Sequence, residues 1–226
     1  LGWRRERERT MGEYLARNGV AQLACAGTQK YGHVTYFWNG NRGGKFDDAL
    51  ESYEEVTSDL VPFEQRPWMK AAEVTDVAIE ALQSGKFPFA RINYANGDMV
   101  GHTGNLEAAV LAVQTVDLCL QRLLQALRKL GGVALITADH GNSDEMFERD
   151  KKTGEVKRKA DGRPNAKTSH TLAPVPLTIY DPGFDGEYEL NESLESRGLS
   201  NIAATVLNLL GYEAPEGYDP SLIRFK

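Results

Sequence analysis

The chain has 226 residues, of which 41% are hydrophobic and 26% are charged, and its formal net charge at pH 7 is -6. This length and composition are typical of a globular protein with one large domain or two small ones. The negative charge argues against a nucleic-acid binder, and no apolar run approaches the ~20 residues of a membrane span. Cys25 and Cys119 match no zinc or redox spacing, so we predict buried free thiols in a reducing compartment.

Predicted helices and strands alternate along the chain. Thr10 and Glu13 have capping-box spacing, which predicts a short helix after the charge-dense residues 1–9. Apolar spacing predicts further helices at 67–84, from Gly104 to Gly131, and at 200–210. The stretches that favour β-strands are 20–26, 33–38, 88–94, 133–136 and 174–180. This alternation predicts an α/β fold with a mostly parallel sheet sandwiched between helices.

The helix predicted after Gly104 is long and carries a sustained apolar stripe. The residues of this stripe are Leu106, Ala109, Val113, Val116, Leu120, Leu123 and Leu127. Because they recur at helical spacing, we predict that the stripe packs in the core and does not form a cofactor site.

The strand predicted at 133–136 is followed closely by Asp139, His140 and Gly141. In open α/β sheets, functional residues lie just beyond the carboxyl ends of strands. A carboxylate and an imidazole are ordinary ligands of a divalent metal, and a glycine lets the backbone turn sharply behind them. Taken alone, the pair could equally be a buried Asp–His hydrogen bond.

The histidines suggest a larger metal site. The chain has four of them, His33, His102, His140 and His170. Asp98 and His102 are four residues apart, which directs both side chains the same way on one helical turn. Together with His170 and the Asp139–His140 pair, they make five candidate ligands. Five oxygen and nitrogen ligands without a thiolate suit a pair of metals that act in hydrolysis or phosphoryl transfer, and the alternative is satisfied core histidines.

Lys30 follows the strand predicted at 20–26, so it lies at that strand's carboxyl end. Composition alone favours a solvated loop lysine. The segment 30–35 is considered again below, together with the segments around the candidate metal ligands.

Four separate segments, in the same order along the chain, resemble motifs of cofactor-independent phosphoglycerate mutase, a family of the alkaline phosphatase superfamily. Lys30-Tyr31-Gly32-His33-Val34-Thr35 resembles the family's active-site lysine segment. The segments that resemble its metal-ligand motifs are 96–104, 137–142 with 144–146, and 169–171. The resemblance covers essentially the whole chain and implies an alkaline phosphatase-like fold.

The resemblance also implies a ligand set for two divalent metal ions, namely manganese. One ion would be held by Asp98, His102 and His170. The second would be held by Asp139 and His140, joined in the family by another Asp and by the nucleophilic Ser. In the family this Ser takes the phosphoryl group from one hydroxyl of bound phosphoglycerate and returns it to the other, and no bisphosphoglycerate is required.

The implied function is the interconversion of 3- and 2-phosphoglycerate in glycolysis and gluconeogenesis. Lys30 would contact the phosphate of this small-molecule substrate. The resemblance further implies a cytoplasmic enzyme, monomeric when full length, that binds neither nucleic acid nor membrane.

The chain departs from the family pattern in two respects. The family's metal-binding Asp and nucleophilic Ser precede an inserted transferase domain with substrate-binding arginines, and none of these has a counterpart here. We therefore expect residues 1–226 to be the C-terminal portion of a metal-binding phosphatase domain, with 1–9 as the linker from the absent domain. Without a catalytic serine, the chain as given is expected to be inactive. Second, Gly27 stands where the family usually has a glutamate.

Two alternatives to the mutase stay open. One is another metal-dependent phosphatase or phosphodiesterase of the same superfamily, against which the lysine segment and residues 142–146 argue. The other is a non-catalytic metal-binding fragment, which the missing nucleophile favours for the chain in isolation.

Overall fold

The computed structural model describes residues 7–226. The helices are α1 (Met11–Arg17), α2 (Thr28–Gly32), α3 (Ala71–Gln83), α4 (Asn96–Gly101), α5 (Leu106–Leu130) and α6 (Ile202–Leu209). The strands are β1 (Gln22–Gly27), β2 (Glu51–Val56), β3 (Phe89–Asn93), β4 (Ala134–Thr137), β5 (Leu177–Tyr180), β6 (Tyr188–Leu190) and β7 (Ile223–Phe225). A π-helical turn, His33–Phe37, follows α2, and 3-10 turns lie at Phe63–Gln65 and Leu199–Asn201.

The chain forms two compact units. One comprises the chain up to Ala126 together with His140–Val175, and the other comprises Leu127–Asp139 and Pro176–Lys226. The first unit contains a parallel sheet with the strand order β2-β1-β3. The second contains two antiparallel pairs, β4 with β5 and β6 with β7. The parallel sheet and its helices confirm the predicted α/β class. Of the charge-dense residues 1–9, the described ones, 7–9, are exposed, and 1–6 lie outside the described residues.

Strand β1 is the centre of the parallel sheet, and it is buried along its whole length. Leu23 and Cys25 face one side, where they pack against Val74 of α3. Ala24 and Ala26 face the other side, where they pack against Val34 in the π-helical turn. Since successive side chains of a strand point to opposite faces, this alternation places a helical layer on each side of the sheet. A continuous apolar strand is expected where a parallel sheet is covered on both faces.

Local signals explain some elements and fail for one. Helix α1 begins after Thr10, whose Oγ1 accepts a hydrogen bond from the Glu13 N–H at 3.4 Å, as the capping spacing predicted. The prediction of a strand at 33–38 is wrong, because this segment continues α2 as a helix. Val34 is buried against the sheet there, and the Thr35 hydroxyl donates to the Tyr31 carbonyl at 2.7 Å. Tertiary packing therefore overrides the β propensity of this segment.

The apolar stripe of α5 is only partly buried. Ala109 lies in the core, but Leu106 and Val113 are 43% and 52% exposed, so the prediction of core packing is wrong for these two residues. The core-facing side of the helix in the first unit is lined by alanines. The residues of this cluster are Ala108, Ala109, Ala112, Val100 and Met146. Farther along the helix, Leu123 and Leu127 of the stripe are buried, at 6% and 9% exposed, as predicted.

Helix α5 has 25 residues, and an 18-residue window within it has a mean hydropathy of 1.2. By length and composition alone it could cross a membrane, whereas the sequence analysis found no apolar run long enough to do so. Core helices of other proteins pass the same test. Its alanines pack against Val100 and Met146, and 22% of that window is buried.

The two cysteines are buried free thiols, as predicted. Burial, together with the charge of Glu54, raises the pKa of Cys25 to about 12. The thiolate is the reactive form of cysteine, and Cys119 is only 4% exposed. We therefore expect Cys25, through its raised pKa, and Cys119, through its burial, not to react with iodoacetamide in the folded chain at pH 8. Both should react after unfolding in urea, which serves as the control. Rapid alkylation of either thiol under native conditions would contradict this burial.

Candidate metal centre

Helix α4 positions the first two candidate ligands. It begins three residues after β3 ends, so Asp98, in its first turn, lies just beyond the carboxyl end of that strand. The buried Asn96 side chain anchors the start of the helix by donating to the Pro67 carbonyl at 2.8 Å. The His102 N–H donates to the Asp98 carbonyl at 3.0 Å, which continues the helical turn. As predicted, the spacing of four brings the side chains together, with His102 Nε2 3.1 Å from Asp98 Oδ1.

Two further histidines are brought together by the pairing of the segments that follow them. The Thr171 N–H donates to the Gly141 carbonyl at 2.8 Å. A side chain at Gly141 would overlap the Thr171 hydroxyl, so the close approach of the two backbones requires glycine here. The adjacent residues, His140 and His170, stack with their ring centroids 3.6 Å apart.

The three histidines converge on one carboxylate oxygen. Asp98 Oδ1 lies 2.9 Å from His170 Nε2, 3.1 Å from His102 Nε2 and 3.8 Å from His140 Nε2. The donor atoms of Asp98, His140 and His170 all lie within 4.8 Å of one another, a spacing that could hold a metal ion. Four of the five candidate ligands thus form one cluster. The fifth, Asp139, is an exposed residue of the second unit, and its role as a ligand stays a prediction.

The hydrogen bonding of His102 fits a bound cation. Its Nδ1 lies 2.6 Å from the Thr168 carbonyl oxygen, which can only accept, so Nδ1 carries the hydrogen. In the neutral ring, Nε2 then presents a lone pair to Asp98 Oδ1, which is itself an acceptor. A divalent cation would relieve this contact between two acceptors. Carboxylate and imidazole groups are suitable ligands for such an ion, and the backbone carbonyl that orients His102 is a common partner of a histidine ligand.

Lys30 lies on the opposite side of the same carboxylate. It is in α2, directly after β1, and is only 4% exposed, so the alternative that composition alone favoured, a solvated loop lysine, is wrong. Its Nζ forms an ion pair with Asp98 Oδ2 at 2.8 Å. One oxygen of the carboxylate therefore faces the histidines and the other faces a lysine ammonium.

These contacts keep Asp98 ionised. Burial alone would raise the pKa of its carboxyl group, but hydrogen bonds from Lys30 and Asn142 outweigh burial and lower the pKa to about 2. At neutral pH the carboxylate is consequently an anionic oxygen donor, the form that binds a cation.

A family model described as the metalloenzyme superfamily matches residues 1–214. The chain belongs to the metalloenzyme superfamily. It is 53% identical over 215 residues to the 2,3-bisphosphoglycerate-independent phosphoglycerate mutase of Trypanosoma brucei brucei, and 48% identical over 219 residues to mutase 1 of that name from Arabidopsis thaliana. These matches cover 95% and 96% of this chain but 39% of each relative.

A solved structure is also similar to this member of the superfamily. A crystal structure of Leishmania mexicana phosphoglycerate mutase at low cobalt concentration matches with a TM-score of 0.94 and 50% sequence identity. The match covers 97% of this chain and 40% of that chain. The predicted resemblance to the cofactor-independent mutases is thereby confirmed, and the chain spans about two fifths of the length of the relatives it matches.

Two groups at this superfamily site were not assigned a role from the sequence. The Thr168 carbonyl orients His102, and the Asn142 side chain donates to Asp98. The only available signal was their position next to predicted ligands, since a backbone carbonyl has no residue signature and an asparagine beside a glycine ordinarily indicates a turn. Their roles depend on contacts with residues far away in the sequence.

Proposed function

We propose that the chain is the C-terminal part of a phosphoglycerate mutase that interconverts 3- and 2-phosphoglycerate in glycolysis and gluconeogenesis. The observation that carries this proposal is the Asp98 carboxylate, which joins three histidines on one oxygen to Lys30 on the other. The proposed metal site and the proposed phosphate-binding residue, Lys30, therefore share the Asp98 carboxylate. The similarity to enzymes named phosphoglycerate mutases over nearly the whole chain supports the same substrate.

The proposed cofactors are two manganese ions. Asp98, His102 and His170 would hold the first. Asp139 and His140 would contribute to the second, with an Asp and a nucleophilic Ser from outside these 226 residues. When bound, such ions offset the charge of phosphoryl oxygens and lower the pKa of a coordinated hydroxyl.

The proposed role of Lys30 is to bind the substrate phosphate. A lysine ammonium acts as a compact point charge with three donors, which suits a phosphate group. Because Nζ is 2.8 Å from Asp98 Oδ2, a phosphate bound to Lys30 would lie beside the metal ligands. Phosphoryl transfer through a phosphoserine would need no bisphosphoglycerate.

The remaining parts of the proposal concern the longer protein. We place residues 1–226 in the C-terminal portion of its phosphatase domain and residues 1–9 in the link from a transferase domain. The proposed enzyme is a cytoplasmic monomer. The match to only 39% of each relative supports a longer parent.

Metal titration tests the site without requiring activity. We expect manganese binding to the folded chain, measured by calorimetry, to show one tighter and one weaker site. His102→Ala should weaken the tighter site more than about 100-fold, because even the outer partners of metal ligands contribute 10–100-fold. His33→Ala is the matched control, since His33 lies in the π-helical turn outside the cluster. Tight binding that survives the loss of both His102 and His170 would refute the assignment.

A further inference from the structure

Asn142 touches the proposed metal site although it is not one of the proposed ligands. Its side chain is buried, at 5% exposed. Its Nδ2 donates to Asp98 Oδ1 at 2.9 Å and to the Asp98 backbone carbonyl at 3.1 Å. The carboxylate oxygen that faces the three histidines is therefore also held by an amide.

The orientation of this amide is determined by Asp98. Asn142 Oδ1 is buried and has no hydrogen-bond partner among the described residues. Rotating the amide by half a turn would direct Oδ1 at two acceptors of Asp98, so only the observed orientation forms these hydrogen bonds. Since an unpartnered buried oxygen is unfavourable, the two bonds to Asp98 are what keeps the side chain in place.

Gly101 provides the space that Asn142 occupies. A Cβ added at Gly101 would overlap the Asn142 side chain and the Ser143 hydroxyl. Gly101 is the last residue of α4, three residues after Asp98 and on the same face of the helix. Glycine is unfavourable within a helix, and here its lack of a side chain lets Asn142 reach the carboxylate.

We infer that Asn142 is a positioning residue of the metal site, which holds the Asp98 carboxylate in its metal-binding orientation before the ion arrives. This inference rests on the proposed function. Lys30 contacts Oδ2, which faces away from the histidines, whereas Asn142 donates to Oδ1, the oxygen that faces them. Without the amide, the carboxylate can rotate about its contact with Lys30 and turn Oδ1 away from the histidines. Partners that orient a metal ligand commonly contribute 10–100-fold in metal affinity.

The first test compares two neighbouring substitutions by calorimetric titration with manganese. Asn142→Ala should weaken the tighter site about 10–100-fold. Ser143→Ala is the matched control: its Oγ donates to the Gly97 carbonyl at 2.6 Å, so it joins the same two segments without touching the carboxylate. The control should change affinity by less than about threefold, within the range of an indirect effect. Equal losses in both variants would reduce Asn142 to a structural contact and overturn the inference.

The second test displaces the Asn142 side chain without altering Asn142 itself. Gly101→Ala should displace the amide and weaken manganese binding as Asn142→Ala does. If both act through one hydrogen bond, the double variant should bind no more weakly than the weaker single variant. Additive losses would contradict this shared action. Should the variants fail to fold, NMR of the unaltered chain is decisive. The Asn142 side-chain amide protons should be protected from solvent exchange in the metal-free chain, and exchange at the rate of a free amide would overturn the inference.

These outcomes separate the inference from the proposal on which it rests. If the unaltered chain binds no manganese, both fail. If it binds manganese and Asn142→Ala binds equally well, only the positioning role of Asn142 fails.

Discussion

The isolated 226-residue chain is expected to show no phosphoglycerate mutase activity, even with excess manganese. Transfer through the enzyme needs an activated nucleophile that forms a covalent intermediate, and no serine here lies in a matched nucleophile motif. Ser143 and Ser169 flank proposed ligands, but the resembled family uses neither as the attacking group. The Ser143 hydroxyl is moreover engaged, since it donates to the Gly97 carbonyl. Under the proposed mechanism the second metal would lack ligands, and the substrate-orienting arginines that the family resemblance implies would have to come from outside these 226 residues.

The decisive assay uses the purified chain with manganese and 3-phosphoglycerate. It is run with and without a separately expressed piece of the Trypanosoma brucei brucei relative that comprises the part this chain does not match. We expect turnover only on mixing, and no turnover when the mixed chain carries His102→Ala. Activity of the chain alone would overturn the proposed mechanism. Release of inorganic phosphate without formation of 2-phosphoglycerate would favour the rival metal-dependent phosphatase.

Lys30→Met is expected to lower kcat/KM of the mixed enzyme on the order of 10²–10³-fold, the effect of losing one donor aimed at a transition-state oxyanion. Metal affinity should not fall. Lys30 is not a proposed ligand, and its removal leaves the Asp98 carboxylate without its ammonium partner, which favours another cation in its place. The readouts are mutase kinetics and manganese titration on the same preparation.

The matched control for this prediction is Lys70→Met. Lys70 also forms ion pairs, with Asp59 and Glu73, but these are surface pairs outside the cluster. We expect the control to leave kinetics and metal affinity unchanged. Normal kinetics in Lys30→Met would mean that Lys30 has only a structural ion pair with Asp98. A loss of manganese binding would instead show that Lys30 supports the metal site.

The sequence predicted the local features that depend on neighbours a few residues apart. The Thr10 cap predicted the start of α1, and the apolar run predicted β1. The spacing of Asp98 and His102 predicted that both side chains project the same way from one helical turn. In the structure His102 Nε2 lies 3.1 Å from Asp98 Oδ1. Each of these features follows from backbone periodicity and capping, which operate within about one or two turns of chain.

Gly27 illustrates how the sequence and the structure complement each other. The sequence showed a glycine where the resembled family usually has a glutamate. The structure shows a φ of -69°, which any residue can adopt, and an added Cβ would meet Ser58 Oγ at 3.5 Å, an ordinary contact. Neither backbone conformation nor space requires glycine at this position, in contrast to Gly101 and Gly141, where a side chain would overlap its neighbours.

Only the tertiary structure decided which of the candidate residues meet. His102 and His170 are 68 residues apart in the sequence, and their Nε2 atoms are 3.1 Å apart. The buried Lys30, which follows a different strand, forms an ion pair with Asp98. Periodicity indicates which face of an element is apolar, but it carries no information on which loops converge. That depends on the order β2-β1-β3 and on the approach of Thr171 to Gly141. The same limit explains why the segment 33–38 is helical: its packing against β1 outweighs its β propensity. It also explains why no role was assigned to Asn142, whose contact with Asp98 depends on the tertiary structure.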